Sequence, residues 1–287
     1  MLKNNMKIGI CTFEQFHGRR NVGSSRIRAR WLVKYWDEAE LFKIGQKYDA
    51  VIYQKAYMVE HAKVFKGVKI LDLCDPDWLH WGYRVSEMIS EVDAITTSTE
   101  VLAEAIRNFT DKPVLCIPDR MDLGAHMGRK FHQGKAEWVV WFGYSTGFDM
   151  IKPTLHYLKK FGLNLIVISD SGFMLPGSYQ DSIELKNLPW TEDTVNKDIL
   201  TGDMVINPQS KAGKWKYKSN NKSLTAWALG MPVALDYEDL EKYLDPEVRQ
   251  KESKKRLLEI KDKWDIKQSI VEYKELINKI LETKSNE

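Results

Sequence analysis

KYKSNNKSLTAWALGMPV, residues 216 to 233, joins two unlike pieces of chemistry in one element. Its first half is polar and cationic, with Lys216, Lys218 and Lys222 around Ser219, Asn220 and Asn221. Its second half reads as an apolar helix closed by Gly230, after which Pro232 leads into PVALD, an expected buried strand. Backbone N–H groups and the positive dipole end at a helix start both favour an anion, so the lysines and amides mark a candidate phosphate site. Taken alone, such a lysine cluster reads first as a solvated helix face. The pattern around it has to decide.

Working outward, short β-branched runs alternate with longer amphipathic segments: KIGICTF, DAVIYQ, VKILDLC, AITTS and VLCIP, then WVVWFG, NLIVIS, MVIN and PVALD. Such alternation predicts α/β architecture, with parallel sheets and crossover helices. Between Asp119 and Glu137 the pattern breaks at RMDLGAHMGRKFHQGKAE, which is polar and glycine-bearing, and an interdomain linker is expected there. The chain therefore divides into two tandem Rossmann-like, doubly wound domains, 1–128 and 136–246. Residues 247–287 form terminal helices, with Ile266, Ile270, Tyr273, Ile277 and Ile280 on one apolar stripe expected to pack across onto the first domain.

A chain of 287 residues with an apolar share of 43% is long enough for two cores. The net charge of +3 permits an anionic ligand without announcing a nucleic-acid protein. Cys11, Cys74 and Cys116 stand singly in apolar runs, which suits reduced core thiols and a cytoplasmic location. No window approaches a membrane span, and the N-terminal apolar run is too short for a signal peptide.

In the first half, the loop FEQFHGRRNVGSSRIRARW follows the first strand, where open parallel sheets bind ligands. Ser24 or Ser25 can cap the next helix, and Arg19, Arg20, Arg26, Arg28 and Arg30 make either a solvated basic face or a site for an acidic acceptor. The third strand ends in LDLCDPDWLHWGYR. There Asp75 or Asp77, beside His80, could supply a general base whose proton affinity is raised by the aromatic surroundings, while Trp78 and Trp81 could stack on a sugar or base. Each single aspartate is more often a turn or cap residue than a catalytic one. A metal reading of Asp75, Asp77 and His80 matches no familiar cage, so no metal is expected.

In the second half, WFGYSTGFDM places Gly143, Ser145 and Gly147 in a turn shaped for phosphate but without its own cation. Trp190, in LPWTEDT, could stack on a base or simply pack at a strand end. MVINPQSKAGKWK runs through Asn207 into a polar loop flexible enough to close over a ligand.

WVVWFG, LPW before an acidic helix, DMVINP, and KSNNKSLTAWALGMPVAL resemble, in order, the nucleotide-sugar glycosyltransferases of GT-B architecture, especially their large retaining group. AITTSTEVLAEAI and VLCIPDRMDL resemble the stretch that closes that family's first domain. The resemblance implies a nucleotide diphosphate sugar as co-substrate, no cofactor, and transfer to an acceptor hydroxyl on a surface glycan, a lipid or a hydroxymethylated DNA base. It implies diphosphate contacts from Lys218 and Lys222, flanked by Asn221 and Ser223, with Trp190 near the nucleobase. Gly143, Ser145 and Asn207 would line the donor pocket, and Ser24 and Ser25 would add donors from the facing domain. Asp75 or Asp77 would handle the acceptor proton, and Arg19, Arg20, Arg26, Trp78 and His80 would hold the acceptor. Two departures stand out: Tyr217 and Thr225 occupy the places where many retaining members carry glutamates, and the usual basic pair is missing from YSTGFDMIK unless Lys152 substitutes. A sugar-nucleotide binding protein without catalysis, or an epimerase of the same fold, is the alternative.

Overall fold

The computed structural model describes residues 6–19, 21–80, 82–209 and 212–286. Arg20, Trp81, Ser210 and Lys211 lie outside them. The chain forms two compact units. The first contains a six-stranded sheet built from β1 (Ile8–Thr12), β2 (Ala39–Leu41), β3 (Ala50–Gln54), β4 (Val68–Leu73), β5 (Ala94–Thr97) and β6 (Val114–Cys116). Its order is β2-β1-β3-β4-β5-β6, and every pairing is parallel. The second unit holds β7 (Trp138–Phe142), β8 (Asn164–Ser169), β9 (Leu185–Pro189), β10 (Met204–Ile206) and β11 (Val233–Ala234), in the parallel order β11-β10-β7-β8-β9.

The central strands read as unbroken apolar runs because both of their faces are covered. Along β7 and β8, Val139, Trp141, Leu165 and Val167 join one core layer, while Val140, Phe142, Ile166 and Ile168 join the layer on the opposite face. The two strands absent from the sequence reading, β2 and β9, are sheet edges. AEL is only partly buried and LKNLP is mostly exposed, so neither carries the apolar run that betrays a central strand.

The units are not contiguous in sequence. The first takes in residues to Asp122, then Ala212–Ser219, then Asp265 onward; the second takes in Leu123–Lys211 and Asn220–Trp264. This departs from the expected boundaries in three places. The stretch read as a linker packs into the second unit: His126 and His132 are each 4% exposed, and His132 Nε2 lies 2.9 Å from the Gly230 carbonyl. The helix Pro246–Lys263 also belongs to the second unit, because Arg249 is fully buried and donates to the carbonyls of Tyr243 (2.8 Å), Leu244 (2.9 Å) and Gly134 (2.7 Å). Only the helix Ile266–Ser285 belongs to the first, where it packs on the helix Trp31–Tyr35. The third departure is Ala212–Ser219, the lysine-bearing loop, which is part of the first unit.

A buried ion network ties the first unit together. Arg28 sits in a π-helical turn over Arg26–Arg30 and is 4% exposed. Its guanidinium grips Asp72 at the end of β4 through two bonds of 2.6 and 2.8 Å, and also donates to Asp119 and the Ile117 carbonyl, both at 2.9 Å. Asp72 accepts further bonds from Thr96 on β5 (2.7 Å) and Tyr273 on the last helix (2.9 Å). The Ser219 hydroxyl donates to Asp119 at 2.5 Å. Among the described residues, no helix is long and apolar enough to cross a membrane.

Removing Arg28 would strand two buried carboxylates without their cation. Arg28→Met should therefore cost about 3–5 kcal/mol in denaturant unfolding of the first unit. Tyr273→Phe, which removes one of several bonds to Asp72, should cost only about 1–2 kcal/mol.

Candidate functional site

In the second unit the chain leaves β7 toward β8 and β9, then returns on the other side of β7 with β10 and β11. The strand order thus reverses between β7 and β10, and in open α/β sheets ligands bind outside the carboxyl ends of the strands at such a point. Gly143 follows β7 there with φ +149°, a conformation that glycine adopts at no steric cost. The Lys222 ammonium fills the space above it. A Cβ at position 143 would lie 2.6 Å from Lys222 Nζ, and that nitrogen stands 4.3 Å from the centre of the Trp141 ring.

Lys222 is the second residue of the helix Asn221–Ala228, whose N-cap residue Asn220 makes no side-chain cap bond. The opposite end of this helix closes as the sequence suggests. Gly230 has φ +73°, its N–H donates to Trp227 and the Met231 N–H donates to Ala226, a Schellman motif. Asn207, just past β10, donates through Nδ2 to Ser223 Oγ at 2.9 Å in a buried bond, so strand end and helix start are pinned to each other. The geometry brings Gly143, Asn207, Asn221, Lys222 and Ser223 to one sheet edge. Ser223 is 2% exposed and acts there as a tie.

Ser145 behaves differently from a phosphate-binding turn residue. Its backbone N–H donates to Asp170 Oδ1 at 2.7 Å, and that bond holds the Asp170 carboxyl below the usual range. Asp170 follows β8 and was not singled out in the sequence, because one aspartate after a strand has no distinguishing pattern. Trp190, beyond β9, is half-buried and packs on the apolar layer of β7 and β8, with its backbone N–H donating to the Ser169 carbonyl.

In the first unit the order reverses between β1 and β3, and a second cluster lies beside that point. Lys55, directly after β3, is 7% exposed and has φ +50°, the left-handed region that non-glycine residues rarely occupy. Its Nζ lies 2.5 Å from Asp75 Oδ2 and 3.2 Å from Asp77 Oδ1. Asp75 also receives Lys218 at 2.5 Å, while Asp77 is 1% exposed and accepts the Tyr57 hydroxyl. The two carboxyls therefore differ. Burial raises Asp75, but Lys55 and Lys218 outweigh it and hold the group below its ordinary value. For Asp77 burial prevails and the pKa goes up. The expected rise in proton affinity thus applies to Asp77 and fails for Asp75, where two ammonium groups set the charge.

Several expected contacts are engaged within this unit. Ser25 is fully buried, with its hydroxyl 3.0 Å from Gln54 Oε1 and accepting the Glu14 N–H. Ser24 is half-buried at the start of the same helical stretch. Trp78 is half-buried, and its ring meets Phe109 and Tyr217, each at 5.6 Å. Arg26 lies over the Trp31 ring at 5.8 Å, Arg19 over Phe13 at 5.7 Å, and Arg30 stands 3.5 Å from Glu14. The exposed His80 sets its ring against Tyr83 at 6.0 Å. Among the described residues no group of three acidic, histidine or cysteine side chains gathers as metal ligands would. Lys218, expected beside Lys222, belongs to this unit with Asp75, whereas Lys222 belongs to the second.

No family model and no curated relative matches the chain. Solved structures do. An alpha-glucosyltransferase in complex with UDP-glucose and DNA containing an abasic site is similar over 95% of this chain and 99% of its own, with a TM-score of 0.69 and 12% identity. HepE from Anabaena, in complex with UDP and glucose, is similar over the same shares, 95% and 99%, with a TM-score of 0.68 and 10% identity. The chain has the GT-B fold. TarM shares it at a TM-score of 0.61 and 11% identity, over 80% of this chain; the match spans only 54% of TarM. In GT-B terms the two sheets are the Rossmann-like domains and Ile266–Ser285 is the terminal helix that belongs with the first, as the resemblance implied.

Asp75 has a folded-state pKa below its unfolded one, so its stabilisation is present above about pH 4 and is lost as pH falls below that value. Asp77 has the opposite sign, favouring the fold at acid pH and losing that contribution as pH rises through its folded pKa. Thermal melts of Asp75→Asn should therefore show a deficit at pH 7 that persists to about pH 4 and shrinks below it. Asp77→Asn should compare best with the parent at neutral pH and worst at acid pH.

Proposed function

We propose that this chain is a glycosyltransferase that moves a hexosyl group from a nucleotide diphosphate sugar to an acceptor hydroxyl. The second unit holds the donor and the first holds the acceptor. The observation that carries this reading is Lys222, an ammonium group at the start of a helix, seated over Gly143 at the strand-order reversal of β7 and β10. Charge that develops on a departing diphosphate is stabilised by a fixed cation and by helix-start N–H groups, without any acid on the chain. Tyr217 and Thr225 at the places of glutamates therefore leave the leaving-group chemistry intact. Solved GT-B structures similar to this chain hold UDP-glucose, or UDP and glucose, which makes a uridine diphosphate sugar the first donor to test.

Lys222 takes the diphosphate role, with Asn221 beside it. Lys218 is assigned to Asp75, which its ammonium meets at 2.5 Å. In the first unit, the ionised Asp75 accepts a hydrogen bond from the acceptor hydroxyl, and the buried Asp77 supports it. The acceptor reading favoured here is a hydroxyl of a surface glycan or lipid, because much of the arginine cluster that would track a DNA backbone is engaged internally. Arg28 is closed on Asp72 and Asp119, and Arg30 faces Glu14. A cytoplasmic location suits both the free thiols Cys11 and Cys74, buried in the fold, and a soluble sugar-nucleotide donor.

A thermal-shift panel of nucleotide sugars should reveal one diphosphate sugar that raises the melting temperature more than its monophosphate does. Lys222→Ala should keep the fold and lower kcat for that donor by about 10²–10³; unchanged transfer and donor hydrolysis would remove Lys222 from the reaction. Conversion of the donor alone would favour an epimerase. Tight binding with neither hydrolysis nor transfer would favour a non-catalytic binder. Salt-sensitive retention on duplex DNA, lost in Arg26→Glu/Arg30→Glu, would move the acceptor to a modified base.

A further inference from the structure

Asp75 and Asp77 stand on one turn past β4, and two carboxylates held this closely ordinarily compete for a proton. Lys55 lies between them, its Nζ within 2.5 Å of one and 3.2 Å of the other. It gets there by a backbone conformation, φ +50°, that an L residue adopts only when its surroundings compel it. Nothing in the sheet hydrogen bonding demands a lysine at this place: the Lys55 N–H donates to the Asp72 carbonyl, a bond any residue but proline could make. We propose that Lys55 is a positioning residue for the transfer reaction, holding Asp75 as the carboxylate that meets the acceptor hydroxyl and Asp77 as its buried support. The inference rests on the glycosyl-transfer reading of the same site.

The surroundings of the ammonium group fit that role. On its own strand end stands Tyr57, hydrogen-bonded to Asp77, with Tyr83 stacked on Tyr57 at 5.3 Å. From the turn after β4 come Asp75, Asp77 and the buried thiol Cys74, which in turn feels Arg28 and Asp119. The helix after β1 contributes the Phe13 ring, 5.0 Å from Nζ, and His17, whose pKa is lowered by burial, Arg19 and Lys55. From Ala212–Ser219 comes Lys218 on the other oxygen of Asp75. Burial alone would discharge Lys55, but Cys74, Asp75 and Asp77 outweigh it and keep the ammonium form. Among the described residues Lys218 pairs with Asp75, while Lys55 meets both carboxyls.

The test has an arm that does not need turnover. Carboxyl ¹³C titration of the parent protein should show Asp75 ionising at lower pH than Asp77, and joint titration of the two would overturn the proposal. In Lys55→Met the Asp75 titration and the acid limb of kcat should both move up by about one pH unit or more, and Lys55→Arg should restore them. A Lys55→Met protein whose kcat falls while its pH profile and carboxyl titrations stay as in the parent would show an ordinary structural ion pair and would also overturn it. If Lys55→Met does not fold, Lys55→Gln and the titration of the parent decide. If the parent neither transfers nor hydrolyses any donor, the transferase reading fails by itself, and the carboxyl titrations still settle whether Lys55 separates the two aspartates.

Discussion

The grip of Arg28 on Asp72 and Asp119 is the constraint on which the first unit depends. Taking an arginine and two carboxylates out of water is expensive, and the arrangement holds because nearly every partner is present: two bonds to Asp72, one to Asp119 and one to the Ile117 carbonyl. The network also places the chemistry. Asp72 sits three residues before Asp75, and Asp119 holds Ser219, the neighbour of Lys218. By fixing Asp72 and Asp119, one buried guanidinium sets both the turn that carries the carboxylates and the segment that brings a lysine to them.

The second unit places its cation by another route. Its cation is placed by chain topology: the reversal of strand order opens the edge, a glycine leaves room, and the Asn207 to Ser223 bond pins the helix start. A Schellman motif fixes the far end and turns the chain into β11. The contrast has a physical basis. Apolar layers on both faces of β7 and β8 already specify that sheet, whereas the first unit must also hold segments that arrive from distant parts of the chain.

The fold was legible wherever burial left a periodic trace. Central strands such as DAVIYQ and NLIVIS announced themselves, while AEL and LKNLP did not, because a sheet edge needs no continuous apolar run. Lys222 and Gly143 were legible as a cation and a turn, since a helix start after a strand is a recognisable anion site. Lys55 was not, because a single lysine after an apolar strand belongs to no motif and its backbone angle is invisible in sequence. Trp78 is legible as an aromatic ring, but its neighbours are not. Composition identifies an aromatic ring but not what covers it, and here Tyr217, more than a hundred residues later, packs against it. Likewise the arginines between Arg19 and Arg30 looked alike, and only packing separated Arg28 from the rest.

The route of the chain has a consequence for biosynthesis. The first unit is begun by residues up to Asp122 but receives Ala212–Ser219, and then the helix from Ile266, much later, while the second is drawn from Leu123–Lys211 and Asn220–Trp264. On the ribosome, the sheet of the first unit therefore emerges early yet waits, with Asp72 still lacking Tyr273, until the helix from Ile266 is made. The unit whose sheet is made before the other is completed after it.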